Sequence, residues 1–219
     1  MPDHATAYTL IVLAGGQGRR MGGCDKGLLR LGQQGFVEAL VQRLRCTVPG
    51  ADQVLISANR HHNEYGRTGA QVCADIRAGF QGPLAGLEAA LVQAPVHQPV
   101  VVVPCDMPLL PGSLPRQLLA PVMADPAAIS VLHDGQRRQQ LCLALWPAAT
   151  LPSLSAHLDQ GQRSVASWLS GQLITEVLGR AGPDANALCW RNVNAPVDFR
   201  LLTESAQNSR AADAVLSVI

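Results

Sequence analysis

Between Leu13 and Lys26 the chain reads Leu-Ala-Gly-Gly-Gln-Gly-Arg-Arg-Met-Gly-Gly-Cys-Asp-Lys, with five glycines, two arginines and a lysine in one short stretch. Glycine lets a backbone approach a ligand closely and turn successive N–H groups toward an anion. Arginine and lysine add charged donors. Together they describe a polyphosphate cradle, with the amides of Gly15, Gly16 and Gly18 and the side chains of Arg20 and Lys26 as its donors. A flexible surface loop with solvated cations is the plain alternative. The apolar run Leu10–Leu13 immediately before the loop speaks for the cradle.

Two common phosphate loops do not fit. A Walker A loop needs glycine, lysine and then serine or threonine, but Lys26 stands between Asp25 and Gly27. The dinucleotide fingerprint Gly-x-Gly-x-x-Gly, started at Gly16 and Gly18, ends on Met21, and no acidic residue closes the second apolar strand. Both failures disfavour a kinase or a nicotinamide enzyme.

Asp106 is the second feature placed to do chemistry. It follows the run Val100–Val103 and is flanked by Pro104 and Pro108. A carboxylate fixed at a strand end opposite a phosphate cradle suits Mg²⁺, which takes one or two carboxylates together with phosphate oxygens and water. A turn-forming aspartate in a proline-rich connection is the alternative. Asn194 is a further candidate for the metal or for a cofactor phosphate, and equally a turn residue before Pro196.

The elements that must position these groups alternate. Leu10–Leu13, Gln53–Ser57, Gln71–Cys73, Val100–Val103, Ile129–His133 and Gln139–Leu145 read as strands. Phe36–Leu44, Leu84–Gln93, Leu114–Met123, Leu151–Leu158 and Ser164–Leu169 read as helices, and Pro83 suits a first helical turn. Leu188–Val193 reads as a last strand, before a turn at Asn194–Pro196 and a helix from about Val197. This β-α-β-α order implies a three-layer α/β/α fold with a mainly parallel, Rossmann-like sheet, whose ligands sit beyond the carboxyl ends of the strands. The glycine loop and Asp106 both fall at such ends.

Composition sets the frame. With 219 residues, 47% of them hydrophobic, the chain suits one α/β domain. Only 15% are charged and the formal net charge is +1, so no strong field favours nucleic acid or an anionic membrane. No leader-like or membrane-spanning run opens the sequence, which implies a cytoplasmic protein. The six cysteines form no Cys-x-x-Cys pair and no zinc spacing, and most lie in apolar runs as buried thiols.

Leu13-Ala14-Gly15-Gly16-x-Gly18-x-Arg20-Met21, with Lys26 five residues beyond the methionine, resembles the signature of enzymes that join a nucleotide to a sugar phosphate or cofactor phosphate. The form Arg20-Met21-Gly22-Gly23-x-Asp25-Lys26 resembles the molybdenum cofactor guanylyltransferases, the MobA family. Gly82–Gly86 resembles that family's second loop, Pro104–Pro108 its metal motif and Asn192–Pro196 its C-terminal motif, in order from about residue 8 to about residue 203.

The resemblance implies a fold of the nucleotide-diphospho-sugar transferase type. It implies one domain over 1–204, with a nucleotide-binding half (1–110) and an acceptor-binding half (111–204), and an extension over 205–219. It implies GTP as donor, Mg²⁺ on Asp106, and molybdopterin, with or without molybdenum, as acceptor. Arg20, Lys26 and Asp106 are then catalytic. Leu13, Ala14 and Gly15 supply backbone contacts to the base, Asp75 lies near the ribose or base, and Ser57, Pro83 and Leu84 complete the nucleotide site. Ser57 stands where some relatives are expected to carry asparagine. Arg163, Asn192 and Asn194 are acceptor candidates, with His133–Gly135, Arg137 and Arg138 nearby. Molybdenum insertion proteins and molybdoenzymes are implied partners. The readings to be weighed against this are a CTP-dependent cytidylyltransferase of molybdopterin or methylerythritol phosphate, and a non-catalytic nucleotide-binding regulator.

Overall fold

The computed structural model describes residues 7–16, 24–46, 51–181 and 188–204. In chain order the elements are β1 (Tyr8–Leu13), a 3₁₀ turn (Lys26–Leu28), β2 (Arg30–Leu31), β3 (Gln34–Gly35), α1 (Phe36–Cys46), β4 (Ala51–Ser57), α2 (His62–Gly66) and β5 (Gln71–Cys73). They continue with α3 (Pro83–Gln93), β6 (Val100–Pro104), α4 (Leu114–Ala124), β7 (Ile129–His133), β8 (Arg138–Leu145), α5 (Pro147–Asp159), α6 (Val165–Ser170) and β9 (Ile174–Leu178). A helix over 196–204, α7, closes the described chain.

One seven-stranded sheet runs in the order β5-β4-β1-β6-β8-β7-β9. The pairs β1–β4, β1–β6, β4–β5 and β7–β9 are parallel. β8 is antiparallel to both neighbours. Helices cover both faces, which is why β1 and β6 are buried at every position and, apart from Thr9, apolar rather than alternating with exposed polar residues. Tyr8, Leu10 and Val12 of β1 pack with α1 and α4, while Ile11 and Leu13 pack with α3, α5 and α6. The expected three-layer α/β/α architecture with a mainly parallel sheet is the observed one.

A third, smaller cluster holds the C-terminal segment. Val193 and Leu202 pack with Phe36, and the rings of Phe36 and Phe199 lie 5.9 Å apart. This cluster corrects one expectation: Leu188–Val193 is not a strand. Residues 188–190 form a turn closed by Arg191 N–H donating to the Leu188 carbonyl at 2.9 Å. The apolar residues there are buried against side chains, not paired in a ladder. The seventh strand is instead β9, an edge strand whose Ile-Thr-Glu-Val-Leu pattern is only partly buried and carries a weak period-two signal. Its Glu176 is paired with Arg138 of β8. The helix expected from Leu151 begins already at Pro147, a proline suited to the first helical position.

Candidate active site

The sheet sets the geometry. β1 and β6 pair with Leu13 opposite Pro104, and the ladder runs one bond further, Cys105 N–H donating to the Leu13 carbonyl at 3.0 Å. On the other side of β1, Ala14 N–H donates to the Ser57 carbonyl at 2.8 Å. The segments after β5, β4, β1 and β6 therefore leave one edge side by side. Along that edge Asp75 follows β5, Asn59 follows β4, Gly15 and Gly16 follow β1, and Asp106 follows β6. A cleft of about 610 Å³ runs past all of them and also meets Lys26, Ser57, Phe80, Pro83 and Asn194.

Lys26 is carried in by the 3₁₀ turn. The Asp25 carboxylate accepts from Gly27 N–H at 3.3 Å and from the buried Tyr65 hydroxyl of α2. Gly27 packs so tightly that a Cβ there would meet the Tyr65 ring and would approach Val37 to 2.8 Å. Burial, and then the Asp25 contact, push the Tyr65 phenol well above its ordinary pKa, so it stays a donor. Held in this way, Lys26 Nζ lies 3.4 Å from Asp106 Oδ2 and donates to Asn194 Oδ1 at 2.6 Å.

Asp106 receives a third segment from far along the chain. Val193 N–H donates to the Asp106 carbonyl at 2.8 Å, and Asn192 Nδ2 to Asp106 Oδ1 at 3.3 Å. Val193 points into the core, so its neighbours Asn192 and Asn194 face the site. The turn that holds them is closed by Asp198, whose carboxylate accepts from the amides of Asn194 (3.0 Å) and Ala195 (2.9 Å) and from Arg191 at 3.1 Å. The Asn194 amide bond heads the causes that lower the Asp198 pKa. Asp198 stands at the third position of α7 and reaches back to the residues before it, the acidic half of a capping box.

A second cavity of about 440 Å³ opens beyond Asp106. The β7–β8 hairpin lines it with Arg137, Arg138, Gln139 and Gln140, and Asn192 closes the other side. Asp134 shapes the hairpin by accepting from the amides of Gln136 and Arg137, both at 2.8 Å. Asp106 and Asn194 line both cavities.

At the β5 end, Asp75 and Asn59 are bonded reciprocally at 2.8 Å, Asn59 Nδ2 to Asp75 Oδ2 and Asp75 N–H to Asn59 Oδ1. Burial raises the Asp75 pKa, and the Asn59 bond opposes the shift. Gly86 lets α3 come close enough that a Cβ there would collide with the Ser57 hydroxyl.

The structure thus brings Leu13, Ala14, Gly15, Gly16, Lys26, Ser57, Asp75, Pro83, Asp106 and Asn194 to one cleft, and Asn192 to the cavity beside it. Gly18 and Arg20 lie outside the described residues. Two candidates sit elsewhere. Leu84 is fully buried in the core beneath α3. Arg163 turns back to the end of α5, donating to the Leu158 carbonyl at 2.8 Å and the Gln162 carbonyl at 2.7 Å, so its charge is used at that helix end. Asn59, Tyr65 and Asp198 were not singled out from the sequence. Asn59 and Tyr65 act across the fold, so no spacing rule marks them, whereas Asp198 acts locally through its capping-box position.

The donors around Asp106 fit a hard divalent cation. Asn192 Oδ1 is buried with no hydrogen-bond partner, on a side chain whose Nδ2 bonds the Asp106 carboxylate, and Asn192, Asp106 and Asn194 line one cavity. Among the described residues no cluster of three His, Cys, Asp or Glu side chains could hold an ion by itself. One carboxylate with neutral oxygens matches an ion that draws its remaining ligands from substrate phosphate and water.

A mainly parallel sheet with glycines and a carboxylate at adjacent strand ends, opening on two cavities that share Asp106 and Asn194, is suited to holding a phosphorylated ligand beside a second one. Comparison with known proteins gives the class. Residues 10–175 match the MobA-like NTP transferase domain. A molybdenum cofactor guanylyltransferase from Shewanella loihica is 37% identical over 195 residues, 89% of this chain and 95% of that protein. The fold is shared with molybdopterin-guanine dinucleotide biosynthesis protein A from Archaeoglobus fulgidus, with TM-score 0.72 and 19% identity over 91% of this chain and 99% of that one. It is also shared with 2-C-methyl-D-erythritol 4-phosphate cytidylyltransferase from Thermus thermophilus, with TM-score 0.64 and 16% identity over 90% and 98%. The chain belongs to the MobA-like NTP transferase family and is a nucleotidyltransferase. No helix among the described residues is long and apolar enough to cross a membrane.

Proposed function

We propose that this enzyme transfers GMP from GTP to the terminal phosphate of molybdopterin, releasing pyrophosphate and forming the guanine dinucleotide cofactor, with Mg²⁺ as the divalent ion. The observation that carries the reading is that Asp106 and Asn194 line both the strand-end cleft and the hairpin cavity. The name borne by the relative from Shewanella loihica supports the choice of substrates. GTP occupies the cleft past β5, β4 and β1, and the acceptor phosphate enters from the Arg137–Gln140 side.

An acceptor phosphate oxygen attacks the α-phosphorus, and the bond to the α–β bridging oxygen breaks as pyrophosphate leaves. The nucleophile is already an anion, so no general base is needed and the protein's part is positioning and charge neutralisation. Lys26, fixed 3.4 Å from Asp106, offsets charge on the reacting phosphate. Gly15, Gly16 and Gly18 offer amides to the outer phosphates, and Arg20 joins Lys26 in offsetting charge on the α-phosphate and the leaving group. Asn192 and Asn194 orient the acceptor phosphate. When bound on Asp106, Mg²⁺ neutralises phosphate oxygens and lowers the repulsion between the two substrates.

In this reading residues 1–204 form one catalytic domain, with nucleotide binding in 1–110 and acceptor binding in 111–204, and 205–219 is an extension. The enzyme works in the cytoplasm beside molybdenum insertion proteins and molybdoenzymes. The test is pyrophosphate release with molybdopterin, Mg²⁺ and each of GTP, CTP, UTP and ATP. GTP alone is expected to support turnover. Turnover with CTP and not GTP would overturn the donor, and no release from any pair would overturn the transfer.

A further inference from the structure

We propose that Phe80 is the nucleobase grip of this enzyme, its ring held at the cleft as a prebuilt stacking wall; this rests on the reading that the cleft binds GTP. Position comes first. Along the strand-end edge β5 lies three strands from β6, roughly 14 Å at the usual strand spacing. That edge is long enough to take a nucleotide laid along it, with its phosphates on the β6 side and its base toward β5. With the α-phosphate at Asp106, the base lies at the β5 end, where Phe80 shares the cleft with Asn59, Asp75 and Pro83.

Backbone geometry is the second observation. Phe80 has φ 51°, a left-handed conformation that a bulky side chain rarely adopts. The residue is 46% exposed and joins none of the three apolar clusters among the described residues. Folding therefore gives no reason for either the strain or the aromatic ring.

Anchoring is the third. Arg77, in the same loop, forms a bidentate pair with the buried Glu88 of α3 at 2.6 and 2.8 Å and reaches Asp159 of α5 at 2.7 Å. Ser155 Oγ donates to Glu88 Oε1 at 2.7 Å, and Gln81 Nε2 closes the loop on the Ala78 carbonyl at 2.7 Å. A ring carried by a strained backbone in a loop pinned to two helices is pre-organised, so little order remains to be gained when a planar base arrives. Stacking tolerates any base, so Phe80 supplies affinity, and the choice of guanine falls to polar groups such as the Asn59–Asp75 pair.

Calorimetric titration of the full chain with GTP and with inorganic tripolyphosphate, both with Mg²⁺, tests this. Phe80→Ala is expected to weaken GTP about tenfold while leaving tripolyphosphate affinity unchanged, and Phe80→Trp to restore GTP binding. Phe80→Gly relieves the left-handed strain, so its Tm should equal or exceed that of the wild type while its GTP affinity falls as in Phe80→Ala. Unchanged GTP affinity in Phe80→Ala, equal loss of both ligands, or a clear fall in Tm for Phe80→Gly would each overturn the assignment. Wild-type protein that binds tripolyphosphate but not GTP would overturn the GTP reading itself, and this inference with it.

Discussion

The two sides of Asp106 are built differently. On the nucleotide side, four parallel strands end together and each hands over its group within a few residues of the ladder: Asp75, Asn59, Gly15 and Asp106. On the acceptor side, the groups come from a hairpin tip and from a segment near the end of the described chain. Asn192 reaches Asp106 across more than 80 residues and Asn194 reaches its partner Lys26, both held there by Val193, one backbone bond and the Asp198 turn. A site hung on strand ends inherits the rigidity of the sheet. A site assembled from docked segments depends on a few local bonds, and it can be lost without unfolding the enzyme.

Substitutions can break or sharpen this contrast. The largest effect is expected at Asp106, which serves both sides. Asp106→Ala should lower kcat by roughly a hundred- to a thousandfold with little change in Tm, since the side chain is near the surface and the Val193 bond uses the backbone carbonyl. Turnover and thermal melts on the same preparation check both halves. Asn192→Ala comes next. It should raise the acceptor KM by about tenfold and leave GTP affinity intact, because Asn192 lines only the second cavity. Equal damage to GTP binding would mean that the two sides are one site.

Tyr65→Phe is the matching change on the nucleotide side. It frees Asp25 and the Lys26 turn, so KM for GTP should rise severalfold while the acceptor KM stays constant, and stability should fall by about 1 kcal/mol. Smaller still is Asp198→Asn. The folded pKa of Asp198 is depressed, so its stabilisation is present above the unfolded value, about 3.9, and is lost as pH falls through the folded value. The Tm difference between wild type and Asp198→Asn should therefore be present at pH 7 and should vanish in acid. The smallest effect has the opposite sign. Burial raises the Asp75 pKa, so its charge opposes folding above that pKa, and Asp75→Asn should keep or slightly raise Tm at pH 7 while weakening GTP binding.

The same contrast explains what could be read from the chain. Leu10–Leu13 with its glycines, and Val100–Val103 with Asp106, pair a buried strand with the group it delivers, so local sequence states both element and role. The segment 188–194 gave the right residues and the wrong structure. Its apolar residues look like a strand, but they are spent on a side-chain cluster with Phe36 and Phe199. β9 was missed because an exposed edge strand has little burial to pattern it. Arg163 was drawn toward the acceptor by its charge, yet its fork meets helix-end carbonyls, a partnership that only tertiary structure reveals. Asp25 lies within the legible motif, but its link to Tyr65 crosses 40 residues and leaves no trace in spacing.

The central claim is that both substrates meet on one carboxylate, and the most direct measurement is a crystal structure with GTP and Mn²⁺, located by anomalous scattering. The account predicts the ion about 2.1 Å from an Asp106 carboxylate oxygen, with the α-phosphate beside it and open toward the Arg137–Gln140 cavity. Phosphates bound at another edge of the sheet, or an ion that leaves Asp106 untouched, would contradict it.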